Sequence, residues 1–255
     1  MSRFVDKLQR LSKSSALPIG FHPSAGESKG SAMLLIMGLS GAKVEEAKIV
    51  ADVNADAGLI LDNGFSTKIV RQMVEAAGAV PLGVFLKSIS EEKTNELVNL
   101  GCDFVVFDIK VPAAVLQKEG MGKFLMIEPA LDQGLVRAIN SLDVDGVLIS
   151  SKGEDSFVAV EHLLVYRRFV ELLEKPVMIT LSSLVTKAEL TNLWQAGVDG
   201  VVVPPAQSVE ALAELKEMIG DLPRGARGRR GKVGVILPHY GGVVATEEDE
   251  EQEEI

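Results

Sequence analysis

The sequence predicts a single (β/α)₈ barrel, and three observations lead to that fold class. The chain has 255 residues, about the length at which such barrels fold as one domain. Hydrophobic residues make up 47% of it and aromatic residues only 5%, so aliphatic side chains must build the core, as in parallel strands buried on both faces. Eight short apolar runs alternate with helical patterns, and right-handed strand–helix units repeated in this way close into a barrel.

The predicted strands are short and strongly apolar, and the intervals between them have helical periodicity. The strands are expected at 33–39, 58–61, 82–86, 104–109, 124–127, 146–149, 177–181 and 201–203. The helices are expected at 2–14, 43–53, 68–77, 91–100, 135–142, 157–173, 187–196 and 206–219. Strands that alternate with helices are typical of a parallel sheet. A doubly wound open sheet is the alternative that the same alternation allows.

An internal repeat favours the barrel over the open sheet. An aspartate directly precedes the apolar run of every second predicted strand, namely Asp56, Asp103, Asp145 and Asp199. In each copy the acidic residue ends the turn that leads from a helix into a buried strand. Recurrence at alternate strands fits a barrel whose core layers draw on alternate strands.

The segments outside the barrel have distinct compositions. We expect an N-terminal helix and linker at 1–31, the barrel at 32–220, a basic, glycine-rich extension at 221–246 and an acidic tail at 247–255. Five cations lie between Arg224 and Lys232, but no aromatic residue separates them, so a nucleic-acid partner is not expected. Seven of the eight residues 247–254 are acidic, which leaves about −3 of the net charge of −10 on the rest. Such a tail predicts a disordered, solubilising segment.

Cysteine content and hydropathy bear on location and partners. The single cysteine, Cys102, excludes an intramolecular disulfide and is expected to be a small buried residue, which fits a reducing compartment. No apolar stretch is long enough to span a bilayer, and the N-terminal segment lacks the apolar core of a signal peptide. These features predict a cytoplasmic protein without a membrane partner. The mean hydropathy of +0.22 is high and suggests a homo-oligomer with a buried subunit interface, although a large aliphatic core would raise it too.

The stretch 176–203 carries a resemblance to a known family. Pro176-Val177-Met178-Ile179-Thr180, a helical segment and Ala196-Gly197-Val198-Asp199-Gly200-Val201 follow each other as in the last two units of the aldolase-type and ribulose-phosphate-binding TIM barrels, which they resemble. The resemblance implies a lyase- or isomerase-like enzyme that acts on a small anionic carbonyl or sugar-acid metabolite. Where phosphate-binding members have glycines, this chain has Ser182-Ser183 and Pro204-Pro205. Proline has no N–H to donate, so the serine hydroxyls become the candidate anion ligands.

Polar residues at the strand ends are the candidates for the active site, because barrel enzymes place their chemistry at the C-terminal ends of the strands. The candidate catalytic residues are Lys87, Asp108, Lys110, Glu128 and Lys152, and the candidate ligand-binding residues are Asp62, Asn63, Ser182 and Ser183. Ser40, Ser150 and Thr180 also fall at strand ends, but no role is assigned to them. Carboxylates on neighbouring strands can share a Mg²⁺ ion or divide acid and base roles, or they can simply pair with lysines.

Two lysines are candidates to bind or activate a carbonyl. Lys87 at the end of the third strand is expected to point inward, with Asp108 and Glu128 moving protons. Lys152 lies near the position where Schiff-base aldolases hold a reactive lysine, although a solvated loop lysine is the other interpretation. Lys110 follows Asp108 by two positions, so a continuous strand would place both on one side as an ion pair. This pair resembles the Asp-x-Lys of orotidine-monophosphate decarboxylase-like barrels, which have a further aspartate where this chain has Ala113.

Other kinds of chemistry find less support. None of the histidines His22, His162 and His239 falls at a strand end, and no His or Cys cluster predicts a zinc site. Neither a Gly-x-Gly-x-x-Gly turn nor a Walker motif is present, so dinucleotide binding and P-loop hydrolysis are not expected. The sequence identifies no cofactor, and it excludes neither flavin nor Mg²⁺. A catalytically degenerate barrel that serves as a binding or scaffold protein is the alternative function.

Overall fold

Eight parallel strands pair in chain order, and β1 pairs with β8 to close the barrel in the computed structural model. The structure describes residues 2–14, 31–61, 66–87, 91–150 and 156–223. The strands are β1 Leu34–Leu39, β2 Ala57–Ile60, β3 Leu82–Leu86, β4 Phe104–Asp108, β5 Gly122–Ile127, β6 Gly146–Ile149, β7 Val177–Thr180 and β8 Gly200–Val203. The predicted (β/α)₈ fold is confirmed, and each strand overlaps its predicted range.

In the part of the chain that the structure describes, α-helices follow seven of the eight strands, and one more precedes the barrel. They are α1 Arg3–Ser14, α2 Val44–Asp52, α3 Thr67–Ala77, α4 Glu91–Asn99, α5 Gln133–Ala138, α6 Val160–Leu172, α7 Lys187–Gln195 and α8 Val209–Gly220. After β4 the connection is a 3₁₀ helix, Ala113–Gln117, and a second 3₁₀ turn, Ile139–Ser141, continues α5. Side-chain caps fix several starts, such as the reciprocal capping box between Thr186 and Glu189 at α7.

Alternate residues of each strand point into the barrel and form a separate apolar cluster. The strand residues of this interior cluster are Leu34, Ile36, Ala57, Leu59, Phe85, Phe104, Val106, Phe124, Leu148, Met178 and Val202. The residues between them point outward and pack against the helices in a second cluster. The strands are therefore buried on both faces, which is why their sequences read as continuous apolar runs.

Helix α1 closes the N-terminal end of the barrel, a role that periodicity alone did not predict. Its apolar face belongs to the interior cluster, and Phe4 is 0% exposed. The ring of Phe4 stacks on Phe104 with 4.5 Å between centroids and lies 5.3 Å from the ring of Phe124. Gly83 makes room for this packing, since a Cβ atom there would lie 2.2 Å from Cε2 of Phe104. The helix is thus part of the barrel core.

The repeated aspartates have a structural role at the N-terminal ends of the strands. In three copies the carboxylate accepts a hydrogen bond from a backbone N–H near the start of the preceding odd-numbered strand. The donors are Leu35 to Asp56 at 2.9 Å, Lys123 to Asp145 at 2.8 Å and Val177 to Asp199 at 2.7 Å. The recurrence at alternate strands therefore reflects a hydrogen bond that joins the start of each of these strands to the preceding strand.

The fourth copy, Asp103, binds α1 instead. Its carboxylate accepts hydrogen bonds from the hydroxyl of Ser2 at 2.7 Å and from the backbone N–H groups of Arg3 and Phe4 at 2.9 Å each. These N–H groups have no partner within the helix, and a negative charge at a helix N-terminus is favourable. The same repeat thus anchors the helix that closes the barrel.

Within the described residues, no helix has the length and apolarity needed to cross a membrane. The acidic tail 247–255 and the extension beyond Pro223 lie outside the described residues, as do residues 15–30 of the linker. Predictions for these segments therefore stay predictions.

Candidate functional site

A cavity of about 430 Å³ opens at the C-terminal mouth of the barrel and is called the mouth cavity below. Its lining includes an apolar floor and a set of polar side chains, which we call the polar arc. The floor consists of Leu59, Phe85, Met126 and Leu148, and the polar arc consists of Lys87, Asp108, Glu128, Ser150 and Thr180. The volume suits a small-molecule ligand. The structure thus brings together three of the predicted catalytic residues, Lys87, Asp108 and Glu128.

Strand alternation explains why these side chains meet. Each residue of the polar arc follows a residue with its side chain in the barrel interior by two positions, as Lys87 follows Phe85 and Asp108 follows Val106. Side chains two positions apart lie on the same side of a strand, so the chain directs both toward the barrel axis. Ser150 and Thr180 obey the same rule, and this spacing is the signal that would have assigned them to the site.

Asp108 is half-buried and is the last residue of β4, where its carboxylate and its carbonyl oxygen both accept hydrogen bonds from the following turn. The backbone N–H of Lys110 donates to Oδ1 of Asp108 at 3.0 Å, and the N–H of Val111 donates to the carbonyl oxygen of Asp108 at 3.2 Å. The strand predicted to reach residue 109 therefore stops at Asp108 and turns. Lys110 is exposed in that turn and does not line the mouth cavity. The prediction that the side chains of Asp108 and Lys110 lie on one side depended on a continuous strand, and the strand ends at Asp108.

Ser182 and Ser183 line a separate small recess rather than the mouth cavity. Thr180 lies in the lining of both, so the two spaces are neighbours. The hydroxyl of Ser183 donates to the carbonyl oxygen of Ser156 at 2.8 Å. His162 also borders the recess, and its Nδ1 accepts the backbone N–H of Ala159 at 3.2 Å, which caps α6. This bond gives His162 a structural role at the start of α6.

Three predicted site residues, Asp62, Asn63 and Lys152, lie outside the described residues. Asp62 and Asn63 come directly after Leu61, which lines the mouth cavity at the end of β2. Across the described ranges, no group of three or more His, Cys, Asp and Glu side chains is arranged to hold a metal ion.

Cys102 has the properties of a structural residue. It is 6% exposed, and burial together with the neighbouring charge of Asp103 raises the pKa of its thiol to about 12. A thiol with such a pKa carries almost no thiolate at neutral pH and is a weak nucleophile.

A second cavity, of about 370 Å³, lies at the opposite end of the barrel beside α1. The buried Lys123 on β5 lines it, and sequence reasoning missed this lysine because the strand was expected to start at residue 124, two residues after its observed start. Its ammonium donates to the carbonyl oxygen of Leu116 at 2.8 Å and pairs with the carboxylate of Asp143. The hydrogen bond from Lys123 lowers the pKa of Asp143. Both charges are paired within the protein, which favours a structural role for this end.

The fold and the position of the mouth cavity define a (β/α)₈ barrel with its candidate site at the C-terminal ends of the strands. Solved structures support this at the level of the fold. N-(5'-phosphoribosyl)anthranilate isomerase from Pyrococcus furiosus is 15% identical, with a TM-score of 0.58 over 74% of this chain and 100% of that chain. Thiamine phosphate pyrophosphorylase from the same organism is 16% identical, with a TM-score of 0.57 over 73% and 95%. A mutant tryptophan synthase alpha-subunit, also from P. furiosus, is 15% identical, with a TM-score of 0.56 over 74% and 97%.

These structural neighbours are TIM-barrel enzymes, and the predicted resemblance to their superfamily is confirmed for the fold. No protein-family model and no curated sequence matches the chain. The function therefore has to be argued from the site.

Proposed function

We propose that the protein is an aldolase-type barrel enzyme, lyase- or isomerase-like, that acts on a small anionic carbonyl or sugar-acid metabolite in the mouth cavity. One observation carries the proposal: Lys87, Asp108 and Glu128 come from the ends of three consecutive strands and line one cavity. This cavity lies at the end of the barrel where enzymes of this fold perform catalysis. The names of the structural neighbours, which include an isomerase and a synthase, agree with it.

The roles follow from the chemistry of the three side chains. An ammonium group at the cavity can bind the anionic group of a substrate or polarise its carbonyl oxygen, and a neutral amine can attack the carbonyl carbon. The carboxylates of Asp108 and Glu128 lie on adjacent strands and can give and take the protons of such a reaction. Lys110 supports Asp108 through its backbone N–H, which fixes the carboxylate at 3.0 Å.

The remaining predicted residues have supporting roles in the proposed enzyme. Lys152 is the alternative Schiff-base amine, and Asp62 and Asn63 are ligand-binding residues after β2. Ser182 and Ser183 are candidate ligands for an anionic group beside Thr180, from the neighbouring recess. A homo-oligomer belongs to the same proposal, on the ground of the high mean hydropathy.

Reductive trapping tests the proposal. An amine that attacks a carbonyl forms an imine with loss of water, and borohydride reduces the imine to a stable secondary amine. The purified protein is treated with borohydride and a panel of small aldehydes and 2-oxo acids, and the adduct is located by peptide mass. Selective labelling of Lys87, absent in Lys87→Met, is the expected result. Labelling at Lys152 alone would keep the chemistry but move the amine.

A binding or scaffold protein is the second candidate, and Pro204-Pro205 after β8 favours it, because prolines cannot donate the N–H groups that grip phosphate in related barrels. Uniform labelling of exposed lysines, with a normally folded Lys87→Met and no ligand from the panel bound, would support this candidate over the enzyme. A visible absorbance of the purified protein would instead point to a flavin-dependent barrel.

A further inference from the structure

The walls of the mouth cavity differ in polarity from one side to the other. All side chains of the polar arc come from the ends of β3 to β7. On the other side, Leu61 is the lining side chain after β2 within the described residues, which stop there and resume at residue 66, and it packs against the interior cluster. The floor beneath both sides is apolar. The described lining is thus polar on the side of β3 to β7 and apolar on the side of β2.

On the β2 side the cavity is lined by Leu59 and Leu61, which form its apolar wall, and close packing between β1, β2 and β8 lies behind them. A Cβ atom at Gly38 of β1 would lie 2.6 Å from the carbonyl oxygen of Val203 and 3.0 Å from Cδ1 of Leu61. Position 38 therefore has no room for a side chain, and the side chain of Leu61 packs against β1 at this point. Directly after β8, Pro204 and Pro205 have no N–H to offer. The described part of this wall, which ends at Leu61 before Asp62 and Asn63, suits hydrocarbon better than a phosphate group.

The polarity of the lining decides which substrates fit. A polyhydroxylated sugar in the cavity would turn hydroxyl groups toward Leu59, Phe85 and Leu148, where they lose their hydrogen bonds to water without replacement. A substrate with a hydrocarbon group in the same place binds the protein more tightly, by about fourfold for each buried methylene. The anionic and carbonyl groups of the same molecule would face the ammonium of Lys87 and the hydroxyl groups of Ser150 and Thr180.

We infer that the substrate is an amphipathic 2-oxo acid with a branched or aromatic tail, rather than a phosphorylated sugar. Its tail lies on Leu59, Leu61 and Phe85, and its carboxylate and carbonyl oxygens face the ammonium of Lys87 and the hydroxyl groups of Ser150 and Thr180. This inference rests on the proposed function and narrows its substrate class. It departs from the phosphorylated compounds in the names of the structural neighbours because the wall that would hold a phosphate is apolar here.

Three probes with different tails test the inference on the unmodified protein. Dissociation constants are measured by calorimetry for pyruvate, 4-methyl-2-oxopentanoate and ribose 5-phosphate. The isobutyl tail adds three carbons to pyruvate, so 4-methyl-2-oxopentanoate should bind about 10- to 60-fold more tightly than pyruvate. Ribose 5-phosphate should bind more weakly than either. Equal affinity for the two 2-oxo acids, or tighter binding of ribose 5-phosphate, would overturn the inference and leave the proposed enzyme standing.

A substitution in the apolar wall gives an independent readout. Leu61→Ser shortens and polarises the wall without touching the polar arc, so the advantage of 4-methyl-2-oxopentanoate over pyruvate should fall at least fivefold while pyruvate binding is kept. Leu135→Ser, at a leucine that is 58% exposed on α5, is the matched control and should change neither constant. An unchanged advantage in a folded Leu61→Ser would contradict the tail position. Failure of all three probes to bind would contradict both the inference and the proposed function.

Discussion

The carboxylate of Asp103 holds the first turn of α1, because its Oδ2 accepts a hydrogen bond of 2.9 Å from the backbone N–H of Phe4. Ninety-nine residues separate the two in sequence, so this bond joins the N-terminal helix to the start of β4. The ring of Phe4 then lies inside the barrel against Phe104. The N-terminal helix is consequently expected to contribute to the stability of the whole barrel.

Asp103→Ala should lower the free energy of unfolding by about 1 to 3 kcal/mol, because it leaves the N–H groups at the start of α1 without their charged acceptor. Urea denaturation followed by circular dichroism measures the change. Glu214→Ala, at an exposed position in the middle of α8, is the control and should stay within about 0.5 kcal/mol. Equal effects of the two substitutions would show that α1 is not anchored through Asp103.

Val106→Asp should abolish cooperative folding. Val106 is 1% exposed in the interior of the barrel, and an unpaired charge there costs several kcal/mol, a large part of the stability of a typical domain. Val98→Asp, on the solvent side of α4 where the valine is 37% exposed, serves as the control. A soluble Val106→Asp protein with a sharp melting transition would contradict the assignment of this residue to the barrel interior.

Much of the fold was predictable because burial on both faces leaves a clear pattern in the sequence. The limits of β3 and β6 were predicted to the residue, since Leu82–Leu86 and Gly146–Ile149 are continuous apolar runs. The end of β4 was not, because the turn depends on a hydrogen bond from the N–H of Lys110 to the carboxylate of Asp108. An apolar residue, Ile109, follows Asp108, so the sequence pattern continues past the place where the strand ends.

The candidate site was predictable only in part. Their positions at the ends of predicted strands placed Lys87, Asp108 and Glu128 at one mouth, and the structure brings them together. The closing of the barrel by α1 and the special bonding of Asp103 could not be predicted, because both depend on contacts about 100 residues apart. The apolar wall depends on the approach of β8 to Gly38, which a single sequence does not record.

Glu189 should make a pH-dependent contribution to stability. The backbone N–H groups of Thr186 and Val158 donate to its carboxylate at 2.8 Å each and lower its pKa from the ordinary value of 4.5. A carboxylate whose pKa is lowered by folding stabilises the folded state, and the full effect is present at pH values above the ordinary pKa. The stabilisation is lost as the pH falls through the pKa of the folded state. Glu189→Gln should therefore cost stability near neutral pH and progressively less below 4.5. A cost independent of pH would contradict a charged acceptor at this position.

Truncation after Thr246 should leave the melting temperature within about 2 °C of that of the full chain, because a run of acidic residues cannot bury apolar surface. Differential scanning calorimetry of the two proteins at the same concentration gives the comparison. A clearly lower melting temperature of the shortened chain would show that the tail binds the body of the protein.

The affinity for a 2-oxo acid before and after removal of the Lys87 ammonium tests the central claim most directly. Calorimetric titration with 4-methyl-2-oxopentanoate should show binding to the unmodified protein and a loss of about tenfold or more in Lys87→Met, since a hydrogen bond to a charged group contributes roughly 1.5 to 3 kcal/mol. Lys118→Met removes a cation from the cavity at the other end of the barrel and should leave the affinity unchanged. Equal affinities of the unmodified protein and a folded Lys87→Met, or a loss only in Lys118→Met, would contradict a functional site at the C-terminal mouth.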